Sequence, residues 1–249
     1  MVTGATGMAG AAVRRFSCEG AQVFVISLDA AECEALGMSH AVADLADEDA
    51  AVAAFDAARA ELGRVDAVLA VAGGSGRRFG DGPLHEVPLA GWDATMTLNA
   101  TTAFLSGREA VRTMLAQTPD GDGIRGSIVL MSSVSAFDPA PNMFGTHAYA
   151  AAKAAILGLV KAAAARYVGD GIRINALAPA TVDTPMAARA AADPDTVAYL
   201  RSKQPLAGGM IDADDVADAA LYLCSRESRR VTGQTLVIDA GWTVRGDRR

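Results

Sequence analysis

Tyr149 and Lys153, in Tyr149-Ala150-Ala151-Ala152-Lys153, are the pair in this chain best suited to acid–base chemistry. Positions i and i+4 of a helix share a face, so the ammonium can sit close to the phenol. A free tyrosine titrates near ~10. Service as acid or base near neutrality asks for a drop of about 3 units, roughly 4 kcal/mol. A neighbouring lysine cation acts in that direction. Just upstream, Ser127-Ile128-Val129-Leu130-Met131 reads as a strand that ends in Ser132-Ser133. Taken alone, a serine pair at a strand end is an ordinary turn signal.

The start of the chain offers a second kind of chemistry. Thr3-Gly4-Ala5-Thr6-Gly7-Met8-Ala9-Gly10 follows a short strand remnant and opens a helix. Glycines there allow a tight turn and a close backbone approach, and a helix N-terminus offers free N–H groups and partial positive charge to a pyrophosphate. The bland reading is a helix entry packed tightly on a sheet. Its place at the first βα junction favours binding.

These residues need a scaffold, and the pattern supplies one. Short β-branched runs (Val23–Ile26, His40–Ala43, Ala67–Val71, Ser127–Met131, Arg173–Ala178, Thr235–Asp239) alternate with Ala-rich helical stretches (Glu48–Leu62, Trp92–Leu115, Tyr149–Tyr167, Asp212–Cys224). The runs are nearly continuous in apolar character, as parallel strands covered on both faces must be. Such alternation specifies an α/β fold, a doubly wound parallel sheet with helices on both faces. No repeat or linker divides it, so residues 1–249 read as one domain. The proline-bearing segment Asp183–Met210 reads as a sparsely anchored, mobile lid.

From the glycines to the C-terminal region the chain resembles the short-chain dehydrogenase/reductase family. The Gly4, Gly7, Gly10 spacing is similar to that of the family's extended branch. The remainder is similar to its single-domain branch and to 3-oxoacyl-ACP reductase-like members. Val231-Thr232-Gly233-Gln234 and Asp239-Ala240-Gly241 resemble the closing strand. The resemblance implies a Rossmann-like sheet of about seven strands, NAD or NADP as cofactor, and hydride exchange between nicotinamide C4 and a carbonyl or secondary alcohol carbon. It also implies roles. Ser133 and Tyr149 hold the substrate oxygen, and Tyr149 transfers the proton. Lys153 fixes the ribose hydroxyls and lowers the tyrosine pKa. Asn99, in Thr97-Leu98-Asn99-Ala100, holds a water of the proton relay. The connection from Ser133 to Tyr149 looks longer than in most members, which makes Ser135 a fallback for Ser133.

The same resemblance gives the cofactor contacts. Gly4, Thr6, Gly7, Met8, Ala9 and Gly10 line the pyrophosphate, Ser27 and Asp29 end the second strand, and Asp44-Leu45 meets the adenine. Pro179, Val182 and Thr184 surround the nicotinamide, with Ala180 where a glycine is usual. Tyr149 and Lys153 also touch the cofactor. Ala70-Val71-Ala72-Gly73 stands where the family usually has Asn-Asn-Ala-Gly. Ala72 and Gly73 are kept, and the hydrogen bonds of the missing asparagine must be replaced or absent. Residues before Thr3 are few, which implies a stubby central strand or a misassigned start.

The usual acidic position for NAD is Ser27 and the usual basic one for NADP is Leu28, so neither signature is present. Asp29 comes two residues late, and no Arg or Lys lies between Gln22 and Ala58. Arg14 and Arg15 are the nearby candidates for a 2′-phosphate. The balance leans to NAD.

Composition narrows the rest. A formal net charge of -7 argues against a nucleic-acid or anionic-membrane partner. No apolar run reaches the roughly 20 residues that span a bilayer, and no signal peptide opens the chain. Cys18, Cys33 and Cys224 lack CxxC spacing, and His40, His85 and His147 lack metal-ligand spacing. Reduced thiols, a cytoplasmic location and no metal are expected. Trp92 and Trp242 read as packing residues. Arg77 and Arg78 follow the fourth strand on the ligand-binding edge. They suit a solvated loop, or contact with a carboxylate, a phosphate or an acidic carrier protein.

The expected activity is a carbonyl reductase or alcohol dehydrogenase on a small molecule, in a homo-oligomer (tetramer or dimer) built through Trp92–Leu115, Tyr149–Tyr167 and the C-terminal strand. The alternatives are a dehydrogenase of a cyclic alcohol or diol, and a catalytically silent dinucleotide-binding regulator.

Overall fold

The computed structural model describes residues 1–246. Its strands are β1 (Val2–Thr3), β2 (Phe24–Ser27), β3 (Ser39–Val42), β4 (Ala67–Ala70), β5 (Gly126–Met131), β6 (Ile172–Pro179) and β7 (Thr235–Ile238). They form one parallel sheet in the order β3-β2-β1-β4-β5-β6-β7. Strand order reverses between β1 and β4, and the carboxyl ends at such a switch point make the crevice where ligands bind. β1 is two residues long yet central, with Val2 opposite Val25 and Leu69.

The helices are α1 (Gly7–Cys18), α2 (Ala30–Leu36), α3 (Glu48–Leu62), α4 (Leu89–Met96), α5 (Thr102–Leu115), α6 (Pro141–Phe144), α7 (His147–Tyr167), α8 (Ala188–Ala191), α9 (Pro194–Lys203) and α10 (Ala213–Cys224). α3, α5 and α7 build one core with the sheet, around Phe55, Met114 and Ile156. α1, α2 and α10 build the other, around Val13, Cys33 and Leu223. Every residue of β5 and β6 is buried between them. Asp29, Asp47, Asp193 and Asp212 accept from first-turn amides of α2, α3, α9 and α10, each cap worth about 1 kcal/mol.

Two expectations change. The helix expected over Trp92–Leu115 starts at Leu89 and is interrupted by a π-helical turn, Thr97–Thr101, centred on Asn99. Side chains sustain the wider turn: Thr102 Oγ1 donates to the Thr97 carbonyl at 3.1 Å, and π-turns mark functional positions often.

His147–Asp170 is long and apolar enough to span a bilayer by length and composition alone, with a mean hydropathy of 1.4, although Lys153, Lys161 and Arg166 break any continuous apolar run. Alanines raise that value. In the fold this segment packs along the sheet through Ala152, Ile156, Val160 and Ala164 and buries Lys153.

Anchoring along Asp183–Met210 is also uneven. Met186, Ala188 and Arg189 are exposed, whereas Tyr199, Leu200 and Met210 join Val134, Ala140 and Trp242 in a small third core. Buried Gln204 ties that part down, accepting from the Thr181 amide at 2.8 Å and donating to the Gly209 carbonyl at 2.6 Å. Sparse anchoring therefore describes only the first stretch, through α8.

Candidate active site

A cleft of about 610 Å³ opens at the carboxyl ends of the strands, within the size range of cofactor sites. The turn from β1 into α1 forms one wall, with Gly4, Thr6, Gly7, Met8 and Ala9 on its surface. Gly7 has φ +54°, and a Cβ there would lie 3.0 Å from Thr184 Cγ2. The glycine thus lets the α1 turn and the loop after β6 approach each other. The N-cap Thr6 makes no side-chain cap bond; the Ala9 amide donates to the Thr6 carbonyl at 3.1 Å, and the Gly7 and Met8 amides before it suit an anionic ligand. Gly10 does not line the cleft as expected. It is buried one turn on, where a side chain would meet the Ala5 carbonyl.

Ser27, Asp29, Asp44 and Leu45 line the far end of the cleft together with Glu32, whereas Arg14 and Arg15 do not. One carboxylate oxygen of Asp29 caps α2, at 2.8 Å from the Ala31 amide. Arg15 is held by Asp218 at 2.5 Å and by Glu19. The glycine-rich cradle, the open helix end and the carboxylates beyond it fit a dinucleotide.

The other end gathers Ser133, Tyr149 and Lys153, with Ala72, Gly73, Pro179, Val182 and Thr184 around them. β5 delivers Ser133, buried to 7% exposure, and α7 delivers Tyr149 and Lys153. The Ser133 hydroxyl sits near enough to the Tyr149 phenol to favour its ionised form and lies 3.3 Å from Ser135 Oγ. Ser133 and the fallback Ser135 both line the cleft with Tyr149, and Ser133 is the one that acts on the phenol's ionisation. Ser132 points away, donating to the Lys153 carbonyl at 2.8 Å.

The electrostatics differ from expectation. Burial pushes the Tyr149 phenol above its ordinary pKa, and the Ser133 hydroxyl offsets only part. The anticipated help from Lys153 is missing for a geometric reason. Its ammonium donates to the Met131 carbonyl at 2.9 Å and lies 5.5 Å from the centre of the Tyr149 ring, over the ring face. Burial lowers Lys153 itself to about 8.

Asn99 is buried behind the cleft and does not line it. Its Nδ2 donates to the carbonyls of Gly74 at 2.9 Å and Thr95 at 3.0 Å, and its Oδ1 accepts from the Gly74 amide at 3.1 Å. Gly73 lies between Asn99 and Lys153. At its φ of +155°, a Cβ would come within 2.8 Å of Asn99 Oδ1 and 3.6 Å of Lys153 Nζ. Asn99 thus holds the strand-end loop against Lys153.

Two residues escaped the sequence reading. Thr3 Oγ1 accepts from the Ala72 amide at 3.1 Å, tying β1 to the loop after β4. Asp81, buried at 4% exposure, accepts from the amides of Ala148 and Tyr149, both at 2.9 Å. It caps α7 from 68 residues away. Nothing in Gly80-Asp81-Gly82-Pro83 distinguishes it from a turn aspartate.

The sequence profile of the family described as Enoyl-(Acyl carrier protein) reductase matches residues 2–243. The chain is 33% identical to cis-4-hydroxycyclohexanecarboxylate dehydrogenase of Sinomonas cyclohexanicum, over 98% of this chain and 96% of that one. It is 34% identical to the A-factor type gamma-butyrolactone 1'-reductase (1S-forming) of Streptomyces virginiae, over 98% and 95%. A short-chain type dehydrogenase/reductase from Mycobacterium ulcerans superposes with a TM-score of 0.88 at 25% identity, over 98% of this chain and 89% of that one.

Proposed function

The chain belongs to the short-chain dehydrogenase/reductase family and is an NAD(P)-dependent oxidoreductase, and from that premise we propose that Tyr149 is its acid/base. The observation that carries this is the convergence of Ser133, Tyr149 and Lys153 on one cleft, with the Lys153 ammonium 5.5 Å from the centre of the tyrosine ring. Ser133 and Tyr149 hold the substrate oxygen, and Tyr149 gives or takes its proton. Lys153 holds the ribose hydroxyls and supplies positive charge. Asn99 positions the Gly73–Gly74 loop beside Lys153 and serves the proton relay from behind. When bound, the cofactor supplies hydride exchange at nicotinamide C4. The pyrophosphate meets the α1 turn at Gly4, Thr6, Gly7, Met8 and Ala9, with Gly10 packed beneath. Ser27, Asp29, Asp44 and Leu45 take the adenosine half, and Ala72, Gly73, Pro179, Val182 and Thr184 the nicotinamide half. Asp29, Glu32 and Asp44 favour NAD over NADP.

Tyr149→Phe should lower turnover by at least ~10²-fold, the loss expected for a positioned acid/base, with dinucleotide affinity nearly unchanged. A phenylalanine variant with near-normal kcat would overturn the assignment.

Within this activity, a cyclic secondary alcohol or ketone is a second substrate reading, favoured by the relative named for a hydroxycyclohexanecarboxylate. The stretch from Asp183 through α8 is the moving part of the lid over the single domain. A tetramer or dimer fits the exposed apolar stripe of Phe104 on α5, 45% exposed, and Ala155 and Leu159 on α7. Three free cysteines suit the cytoplasm.

A further inference from the structure

We propose that the substrate carries a carboxylate, gripped between Arg77 and Arg189 at the catalytic mouth of the cleft; this rests on the activity proposed above. Arg77 stands on a short 3-10 turn, Gly76–Phe79, just after β4. That turn is fixed from below, because Gly76 is buried against Thr95 and Asp81, and Asp81 caps the helix that carries Tyr149. Arg189 projects from α8, in the exposed first stretch of the lid. Both line the same cleft as Ser133 and Tyr149.

Neither guanidinium has a carboxylate partner among the described residues, whereas Arg15, Arg59, Arg64 and Arg166 each hold one. Arg78, the third arginine on the cleft, is already stacked over Phe79, 4.6 Å from the ring centre. The charge on Arg77 is disfavoured, first by burial and then by Arg189, with Asp81 opposing. The carboxylate near Arg189 is Asp193, which is itself bonded to Thr196 at 2.6 Å. Two like charges thus line one cleft within electrostatic reach of each other, one on a fixed turn and one on the lid. An anion between them relieves their repulsion and draws the lid inward. Guanidinium groups suit carboxylate oxygens because their donors form a rigid fork. On a chain of net charge -7, such a local positive mouth also selects which anions enter.

The test compares matched substrates: oxo-acids and their carboxamides, with cofactor, for wild type, Arg77→Gln, Arg189→Gln and Arg77→Lys. Wild type should prefer the carboxylate. Each glutamine variant should cut the carboxylate-over-carboxamide ratio of kcat/KM by about tenfold or more, with the loss mainly in KM, and Arg77→Lys should lose less. Equilibrium binding of an oxo-acid to dinucleotide-loaded Tyr149→Phe separates the two proposals. Binding that still depends on Arg77 and Arg189 upholds the carboxylate grip even if the acid/base assignment falls. No wild-type preference for the carboxylate overturns the grip, as does equal loss on both substrates. Competition by inorganic phosphate with no effect from an added carboxylate would also overturn it, in favour of a phosphorylated ligand.

Discussion

The two ends of the cleft solve their tasks with different materials. The end assigned to the nucleotide is lined by backbone, with glycine turns and the start of α1, and by three carboxylates, Asp29, Glu32 and Asp44. At the catalytic end buried side chains act, and each depends on another far along the chain. Lys153 is aimed by Met131, Gly74 is held by Asn99, and the start of α7 is capped by Asp81. The charge reverses as well, from acidic at one end to Arg77, Arg78 and Arg189 at the other. The nucleotide end should therefore tolerate pH change, while the catalytic end should titrate.

Lys153 gives that contrast its largest expected effect. Lys153→Met should lower kcat/KM by at least ~10²-fold, as expected for loss of a group central to proton transfer. Its pH signature is separate. The folded-state pKa of about 8 lies below the ordinary 10.5. Between those values the unfolded chain binds a proton that the folded chain has released, so stability rises with pH, by at most about 3 kcal/mol. Above pH ~10 the raised Tyr149 acts oppositely, because the unfolded phenol ionises first. Without dinucleotide, the urea midpoint of wild type should climb from about pH 8 to 10 relative to that of Lys153→Met. Parallel curves for the two proteins would remove the contrast.

The nucleotide end yields a smaller effect, near tenfold in kcat/KM. A 2′-phosphate brings close to two negative charges toward Asp29, Glu32 and Asp44. Arg15 is committed to Asp218 and Glu19, and neither Arg14 nor Arg15 lines the cleft. NAD(H) should therefore be preferred by about tenfold, roughly 1.4 kcal/mol, and Leu28→Arg should narrow the gap. A tenfold preference for NADP(H) would reverse this reading.

What could be read in advance divides along the same line. The strand runs, the glycine spacing, the serine pair and Tyr149-to-Lys153 are local patterns, and local spacing dictates local backbone. Their strands fall within a residue or two of expectation, such as Ala67–Ala70 for Ala67–Val71. The orientation of Lys153 and the direction of the Tyr149 shift could not be read, because burial and the Met131 carbonyl are set by tertiary packing. The same holds for the bond between Thr3 and the Ala72 amide across 69 residues. It holds for the burial of Asn99 in the π-turn, where its side chain bonds Gly74 in the loop after β4. Arg189 carries no local signal in the lid segment, and only the fold places it on the cleft that Arg77 lines.

Asp81 carries the smallest predicted effect and the sharpest test of whether the catalytic end depends on distant partners. Its two oxygens accept from successive amides at the start of α7, one of them the Tyr149 amide. Asp81→Ala leaves both amides without that partner, at about 1–2 kcal/mol. Asp81→Asn keeps one acceptor and turns an NH₂ toward the other amide, so about half the loss should return. Neither change touches the α1 turn, so dinucleotide Kd should hold. If Asp81 positions Tyr149, kcat falls roughly three- to tenfold, since a tenfold change needs only about 1.4 kcal/mol. The asparagine variant should lie between alanine and wild type. A lowered urea midpoint with unchanged kcat would make Asp81 a simple helix cap. The tyrosine would then owe its position to the Ser133 contact and to core packing alone.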